Sequence, residues 1–192
     1  MSSFRPKRNE MECSGEISAI LDEISPFRFA SVEMTRVIKI KNMRIVAQRV
    51  SRASVTIDGV LKSQIGQGMM VLLGIEDADN QEDVEYLCQK LTKLRIFADE
   101  NNAMNLDINQ IEGDFLVVSQ FTLHAMTKKG NRPSFIRAAR PEKAIPLYEL
   151  FLKRLAEVSG RKVECGEFGA DMQVELINDG PVTIIFDTKN KE

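Results

Sequence analysis

Three side chains able to handle a substrate, Ser119, Gln120 and Thr122, close an otherwise apolar run, DFLVVSQFT, from Asp114 to Thr122. Phe115 to Val118 read as a strand buried on both faces, because a short run of aromatic and β-branched residues between polar groups suits the middle of a sheet. The hydroxyls and the amide then sit at the strand's carboxyl end, held rigidly enough to orient a substrate. A second group with chemical potential is Asn178-Asp179-Gly180-Pro181. Gly180 tolerates backbone angles closed to other residues, and a Gly-Pro bond adopts cis at modest cost, which would fix carbonyls in one direction. Local sequence alone favours the plainer reading, a hairpin turn.

Familiar covalent machinery is poorly supplied. A Ser-His-Asp arrangement would have to use His124, the only histidine, five residues from Ser119 on the same strand exit. His124 reads instead as an exposed loop residue. Cys88 falls on a helical apolar stripe and reads as core, and Cys165 has no evident activating partner. With Cys13, these cysteines are odd in number and widely spaced, which encodes neither a disulfide framework nor a zinc site. No Gly-rich phosphate loop is present. The expectation is a pocket without metal or cofactor that positions a substrate and a water.

The surrounding segments must hold these groups. MRIVAQRV from Met43, then ASVTI, read as strands, and Asp58-Gly59 before VLKSQI is a hairpin signature. MMVLLGI, Met69 to Ile75, suits a second buried strand. Asp79 with Glu82 resembles a capping box for a helix running to about Leu94, with RIF at Arg95 to Phe97 returning as a strand. Pro141 opens a second helix, whose stripe includes Leu147, Tyr148, Phe151 and Leu155 and which Gly160 stops. Val163 to Cys165, then Met172, Val174 and Leu176, and finally Val182 to Phe186 read as strands.

At 192 residues, 43% hydrophobic and 28% charged, the chain has the makings of one sizeable core. No apolar run approaches the roughly 20 residues that span a bilayer, and the start lacks a secretory pattern, so no membrane association and a cytoplasmic, reducing location are expected. Residues 1–42 are poorly patterned and read as a peripheral extension, disordered or a start-site artefact, ahead of a domain over residues 43–192. The net charge of −2 gives no global reason to expect binding to DNA or RNA. Locally the picture differs: between His124 and Lys143 stand Lys128, Lys129, Arg132, Arg137, Arg140 and Lys143 against one acid, Glu142. This cationic strap leaves directly from the polar strand tip, so a phosphate-bearing ligand is plausible there, with bases on the strap holding its backbone.

The stretches MRIVAQRVSRASVTIDG, VLLGIE, RIF, MNL, LVVSQFTL, GNRPSF and FGADMQVELINDGPVT occur in this order and cover nearly all of residues 43–192. In these, the chain resembles the D-aminoacyl-tRNA deacylase family, and the two hallmark motifs are the two sites already singled out, Ser119 to Thr122 and Asn178 to Thr183. The resemblance implies an α/β fold: one compact domain with a curved, barrel-like mixed sheet and two main helices, assembled as a homodimer. It implies hydrolysis of the ester of D-aminoacyl-tRNA, and removal of glycine from mischarged tRNA(Ala), without DNA as a partner. Gly180 and Pro181 would form a Gly-cisPro motif inserted into the partner subunit's pocket, where its backbone would clash with an L side chain, reversing the local hairpin reading.

Under the same resemblance, backbone N–H groups around Phe121 and Thr122 would receive the oxyanion, Ser119 and Gln120 would orient the terminal adenosine or brace the strand tip, and the Thr122 hydroxyl would line the scissile ester. Thr122 as a covalent nucleophile is the weaker reading, because no general base is evident. The terminal ribose 2′-hydroxyl would assist attack. Phe168 and Met172 would line the adenosine pocket, Asn178 would support the second motif, and Lys128, Lys129 and Arg132 would meet tRNA phosphates. Three other classes compete. A non-catalytic RNA-binding module would bind without turnover, a small-molecule esterase would ignore the RNA, and a purely structural dimer would do neither.

Overall fold

The computed structural model describes residues 42–191; the expectation for the leader, residues 1–41 in particular, lies outside them. Alternating residues of the first strand have to face two different environments, and that requirement shapes the fold. Strand β1 (Arg44–Ile57) is one continuous element where two were expected. Its first half pairs antiparallel with β3 (Gly68–Gly74) and its second half with β2 (Val60–Ile65), while β8 (Gln173–Asp187) runs antiparallel along its other side. The turn between β1 and β2 is the expected Asp-Gly hairpin, with positive φ at Asp58 (51°) and Gly59 (77°).

From β3 the sheet continues through β6 (Asp114–Ser119) to β7 (Val163–Cys165), both joined in parallel. The order is β2-β1-β3-β6-β7 with β8 on the far side of β1. The sheet curls until its ends approach, and Ser63 Oγ on β2 donates to the Cys165 carbonyl on β7 at 2.9 Å. This is the barrel-like mixed sheet expected of the family.

Curling creates two apolar compartments. Val50, Val55, Met70, Leu116 and Val118 fill the inside of the curl. Met69, Val71, Phe115 and Val117 point outward against helices α1 (Gln81–Thr92) and α2 (Pro141–Ser159), together with Leu87, Phe151 and Leu155. Strands β3 and β6 are therefore covered on both faces, which is why their sequences read as unbroken apolar runs. Cys88 is fully buried in the outer compartment, as expected of a small core residue.

Helix α1 starts one residue later than expected. Asn80 is the N-cap and shares a capping box with Asp83. Asp79 instead turns inward, where its carboxylate accepts from the Asn42 N–H at 2.6 Å and the Glu76 N–H at 2.7 Å. Helix α2 starts at Pro141 and ends at Gly160, which takes the left-handed conformation (φ 64°). The RIF segment yields only a short ladder, β4 (Phe97–Ala98) with β5 (Met104–Leu106), off the main sheet.

The largest departure concerns the chain after Leu176. Two strands separated by a break were expected, but β8 runs on through Asn178 to Pro181 without reversing. The register against β1 jumps from Val50↔Asn178 to Gln48↔Thr183, so Asp179 to Val182 bulge out of a single strand. A hairpin turn at this point, the local reading, is excluded.

Candidate active site

The strand tip is built by the end of β6. Ser119 pairs with Leu73 of β3, and the Gln120 N–H donates to the Leu73 carbonyl at 2.8 Å. The chain then tightens into a 3₁₀ turn, Phe121–His124, closed by Leu123 N–H to the Gln120 carbonyl at 3.3 Å and Ala125 N–H to the Thr122 carbonyl at 3.0 Å. The first amides of such a turn have no partner within it. The N–H groups of Phe121 and Thr122 meet no acceptor among the described residues. The Gln120 side-chain amide donates to Thr122 Oγ1 at 2.5 Å, so the Thr122 hydroxyl is engaged within the motif.

A cavity of about 290 Å³ opens at this tip. Ser119, Gln120 and Phe121 form its polar rim, and Leu73, Ile75 and Val118 its base. Phe168 and Met172 line it as well, with Ala139 and Ala144 among the other lining residues. Thr122 does not line it. Two features outside the motifs shape the walls. A Cβ on Gly166 would crowd Met172 Sδ, so a side chain there would displace the flexible end of Met172 from its place along the cavity. Tyr148 of α2 donates from its hydroxyl to the Val117 carbonyl at 2.9 Å, and its ring stands 6.0 Å from that of Phe168. Burial pushes the Tyr148 hydroxyl well above its usual pKa, which keeps it a neutral donor. Small lining residues such as Ala139 and Ala144 carry no signal in a single sequence.

The second motif is not part of this chain's own cavity. The Gly180–Pro181 peptide bond is cis, as the resemblance implied, and Gly180 has φ 122°. Asn178 braces the bulge from within, accepting the Val182 N–H at Oδ1 (3.1 Å) and donating from Nδ2 to Thr183 Oγ1 (3.1 Å). Gly180 and Pro181 are both exposed and absent from the cavity lining. Arg49 of β1, which sequence reading overlooked, lies beneath the bulge and donates to the Asp179 carbonyl. Its signal is weak, a single cation within a strand pattern.

His124 is not an exposed loop residue. Its side chain is fully buried, with Nδ1 3.2 Å from Glu76 Oε1. Burial lowers its pKa, and Arg44 and Arg137 act in the same direction, against the pull of the Gly74 carbonyl and Glu76. The strap beyond it is tied down at Met126↔Ser134, by Ala139 N–H to the Ile75 carbonyl, and by Arg137 Nη2 to Glu76 Oε1 at 3.0 Å. Lys128, Lys129 and Arg132 are exposed and form no ion pair among the described residues. Phe135 packs edge-on against Phe121, ring centroids 5.1 Å apart, joining the strap to the rim. No three His, Cys, Asp or Glu side chains among the described residues gather as metal ligands would. No described helix is long and apolar enough to cross a membrane.

Residues 46–187 match the family model described as D-Tyr-tRNA(Tyr) deacylase. The chain is 65% identical over 150 residues to a D-aminoacyl-tRNA deacylase of Bacteroides fragilis, covering 78% of this chain and all of that one. Its identity to the D-aminoacyl-tRNA deacylase of Flavobacterium johnsoniae is 58% over the same coverage. Among solved structures it resembles one titled c-Myc DNA Unwinding Element Binding Protein, at 42% identity and TM-score 0.70, over 74% of this chain and 97% of that one. A second, titled as a probable eukaryotic D-amino acid tRNA deacylase, shares the fold at 19% identity, TM-score 0.66, over 76% and 99% of the two chains.

Proposed function

Because this chain belongs to the D-aminoacyl-tRNA deacylase family, a family of hydrolases, we propose that its strand-tip cavity cleaves the D-aminoacyl ester with backbone N–H groups as the oxyanion donors. The terminal adenosine of the tRNA enters between Phe168 and Met172, with Ser119 and Gln120 orienting it at the rim. The ester carbonyl then lies against Phe121 and Thr122, whose N–H groups stabilise the developing oxyanion; preorganised donors of this kind are worth about 3 to 4 kcal/mol each. Water is the nucleophile, positioned with help from the terminal ribose 2′-hydroxyl, and Thr122 acts through its backbone. Lys128, Lys129 and Arg132 meet the phosphates of the acceptor stem.

Chirality is read by a second copy of the chain. Gly180 and Pro181 project away from their own cavity on a strand whose outer face is open, with Ile177 47% and Ile185 71% exposed. In a homodimer each bulge enters the partner's cavity, where its carbonyls face the substrate's α-amino group and its backbone excludes an L side chain. Rejection of this kind does not read the D side chain, so many D-amino acids are accepted, and glycine on tRNA(Ala) is a further substrate. Such an enzyme works in the cytoplasm, where aminoacyl-tRNA is.

The observation that carries this reading is the pairing of two unpartnered amides at a cavity rim with a rigid Gly-Pro bulge held outside that cavity. The test is hydrolysis of matched D-tyrosyl-tRNA and L-tyrosyl-tRNA by the full chain, with no metal added. Loss of the D ester alone is expected; loss of both would discard the filter, and binding without turnover would make the protein an RNA-binding module. Because a solved relative is titled a DNA-element binding protein, duplex DNA is included as competitor, and uncharged tRNA but not duplex DNA is expected to slow the reaction.

A further inference from the structure

His124 is the chain's only histidine, and its burial has no counterpart in the chemistry above. The ring is the last side chain of the Phe121–His124 turn. It lies against Gly74, at the end of β3: a Cβ there would come within 2.9 Å of His124 Nε2 and 3.1 Å of the Gln120 carbonyl oxygen. The imidazole, the missing side chain of Gly74 and the backbone of the catalytic motif therefore share one small space. Neither ring nitrogen makes a well-aligned hydrogen bond to a described residue. Such loosely held buried polar groups are uncommon, and this ring is held by packing and by the nearby Glu76 carboxylate and Gly74 carbonyl.

Charged groups face the ring from each element around it. From the segment just past β3 comes Glu76, whose Oε1 is 3.2 Å from Nδ1 and is also taken by Arg137 of the strap at 3.0 Å. The same residue's N–H is held by the Asp79 carboxyl. From β1 comes Arg44, which donates from Nη1 to the Leu123 carbonyl at 3.0 Å and is paired through Nε with Asp187 of β8 at 2.9 Å. Around a neutral imidazole, Glu76 offsets Arg137 and Asp187 offsets Arg44. A proton on the ring would add a positive charge with no carboxylate of its own.

We propose that His124 is a positioning residue for the deacylase reaction, its neutral ring wedged between Gly74 and Glu76 so as to set the pose of the Phe121 and Thr122 amides. Ionisation of the ring loosens that seat, and turnover falls in acid while the substrate still binds. The role rests on the reading of those two amides as the oxyanion donors.

Two measurements on the full chain test this. With a single histidine, the imidazole ¹⁵N signals titrate without ambiguity, and the ring is expected to ionise below 6.5 with its pKa depressed by burial. The backbone amides of Phe121 and Thr122 are expected to shift with the same midpoint; amides that stay flat through the ring's titration overturn the coupling, whatever the protein hydrolyses. In turnover of D-tyrosyl-tRNA, His124→Ala is expected to lower kcat about tenfold to a hundredfold at unchanged KM, the scale of a small misplacement. His124→Gln, a neutral polar replacement, recovers part of that loss and removes the acid limb of the kcat profile. A His124→Ala enzyme with wild-type kcat, or an acid limb retained in His124→Gln, overturns the positioning role. A wild-type chain that hydrolyses neither ester overturns the deacylase reading, while the amide titration still decides whether the ring governs the turn.

Discussion

Arg49 holds Asp179 by its backbone: Nε donates to the Asp179 carbonyl at 3.0 Å and stands 3.3 Å from its carboxylate, while Nη1 reaches the Ile96 carbonyl at 2.6 Å. The guanidinium thus spans from the bulge to the segment after α1. It packs so closely that a Cβ on Gly180 would come within 2.6 Å of Nη2. Arg49→Ala is expected to leave the fold intact and to free the bulge, since each hydrogen bond from a charged donor contributes about 1.5 to 3 kcal/mol. The ratio of D to L hydrolysis rates should fall at least tenfold, on the order of one such bond; an unchanged ratio would separate Arg49 from the filter.

In the proposed filter, Pro181 stands on the ligand side. Replacing it with alanine removes the ring that fixes the backbone at the tip of the bulge. Discrimination between D-tyrosyl-tRNA and L-tyrosyl-tRNA should weaken or activity should collapse, as measured in the same pair of assays. Under the proposal that each site takes its filter from a second copy, mixed dimers of a chain with Pro181→Ala and a chain with a disabled rim are expected to restore one working cavity.

Thr122 separates two mechanisms. Its hydroxyl already accepts from the Gln120 amide, and removing it should cost a brace worth about 1 kcal/mol, or several-fold in kcat. Full loss of turnover in Thr122→Ala, with tRNA binding and melting temperature unchanged, would assign the hydroxyl a covalent role.

Neutralising Lys128, Lys129 and Arg132 together should weaken binding of D- and L-charged tRNA alike. For three phosphate contacts, the slope of log affinity against log salt should shrink by about 2 to 3. Arg137 is a different case, since it is bound to Glu76, and its loss should appear first in thermal stability.

Asp79 gives a pH dependence of unusual sign. Burial, acting against the N–H groups of Glu76 and Asn42, raises its pKa from 3.8 to about 6. The folded chain therefore binds the proton more tightly than the unfolded one, and this residue's contribution to stability declines as pH rises from about 4 to about 6. In Asp79→Asn that decline should vanish from a series of thermal melts, although the variant is less stable overall because one of the two N–H groups loses its acceptor.

Much of the architecture was legible because periodicity is local. The unbroken runs of β3 and β6, the Asp58-Gly59 turn, and the Pro141 and Gly160 ends of α2 all depend on neighbours within a few residues. The capping residue of α1 was missed by one position because Asp79 and Asn80 are both competent caps, and only the buried N–H groups of Asn42 and Glu76 draw Asp79 inward.

By itself the sequence determined which residues form the strand tip, which stretch is cationic, and that Gly180 and Pro181 stand together as a motif. Tertiary structure decided what those groups face. The continuity of β8 through its bulge depends on pairing with β1 more than a hundred residues away in the chain. The burial of His124 depends on an absent side chain at Gly74 and a carboxylate at Glu76. The cavity exists because the curled sheet brings Phe168 and Met172 back over Ser119. Side-chain type is written in the chain, but burial and pKa are sums over neighbours that only folding assembles.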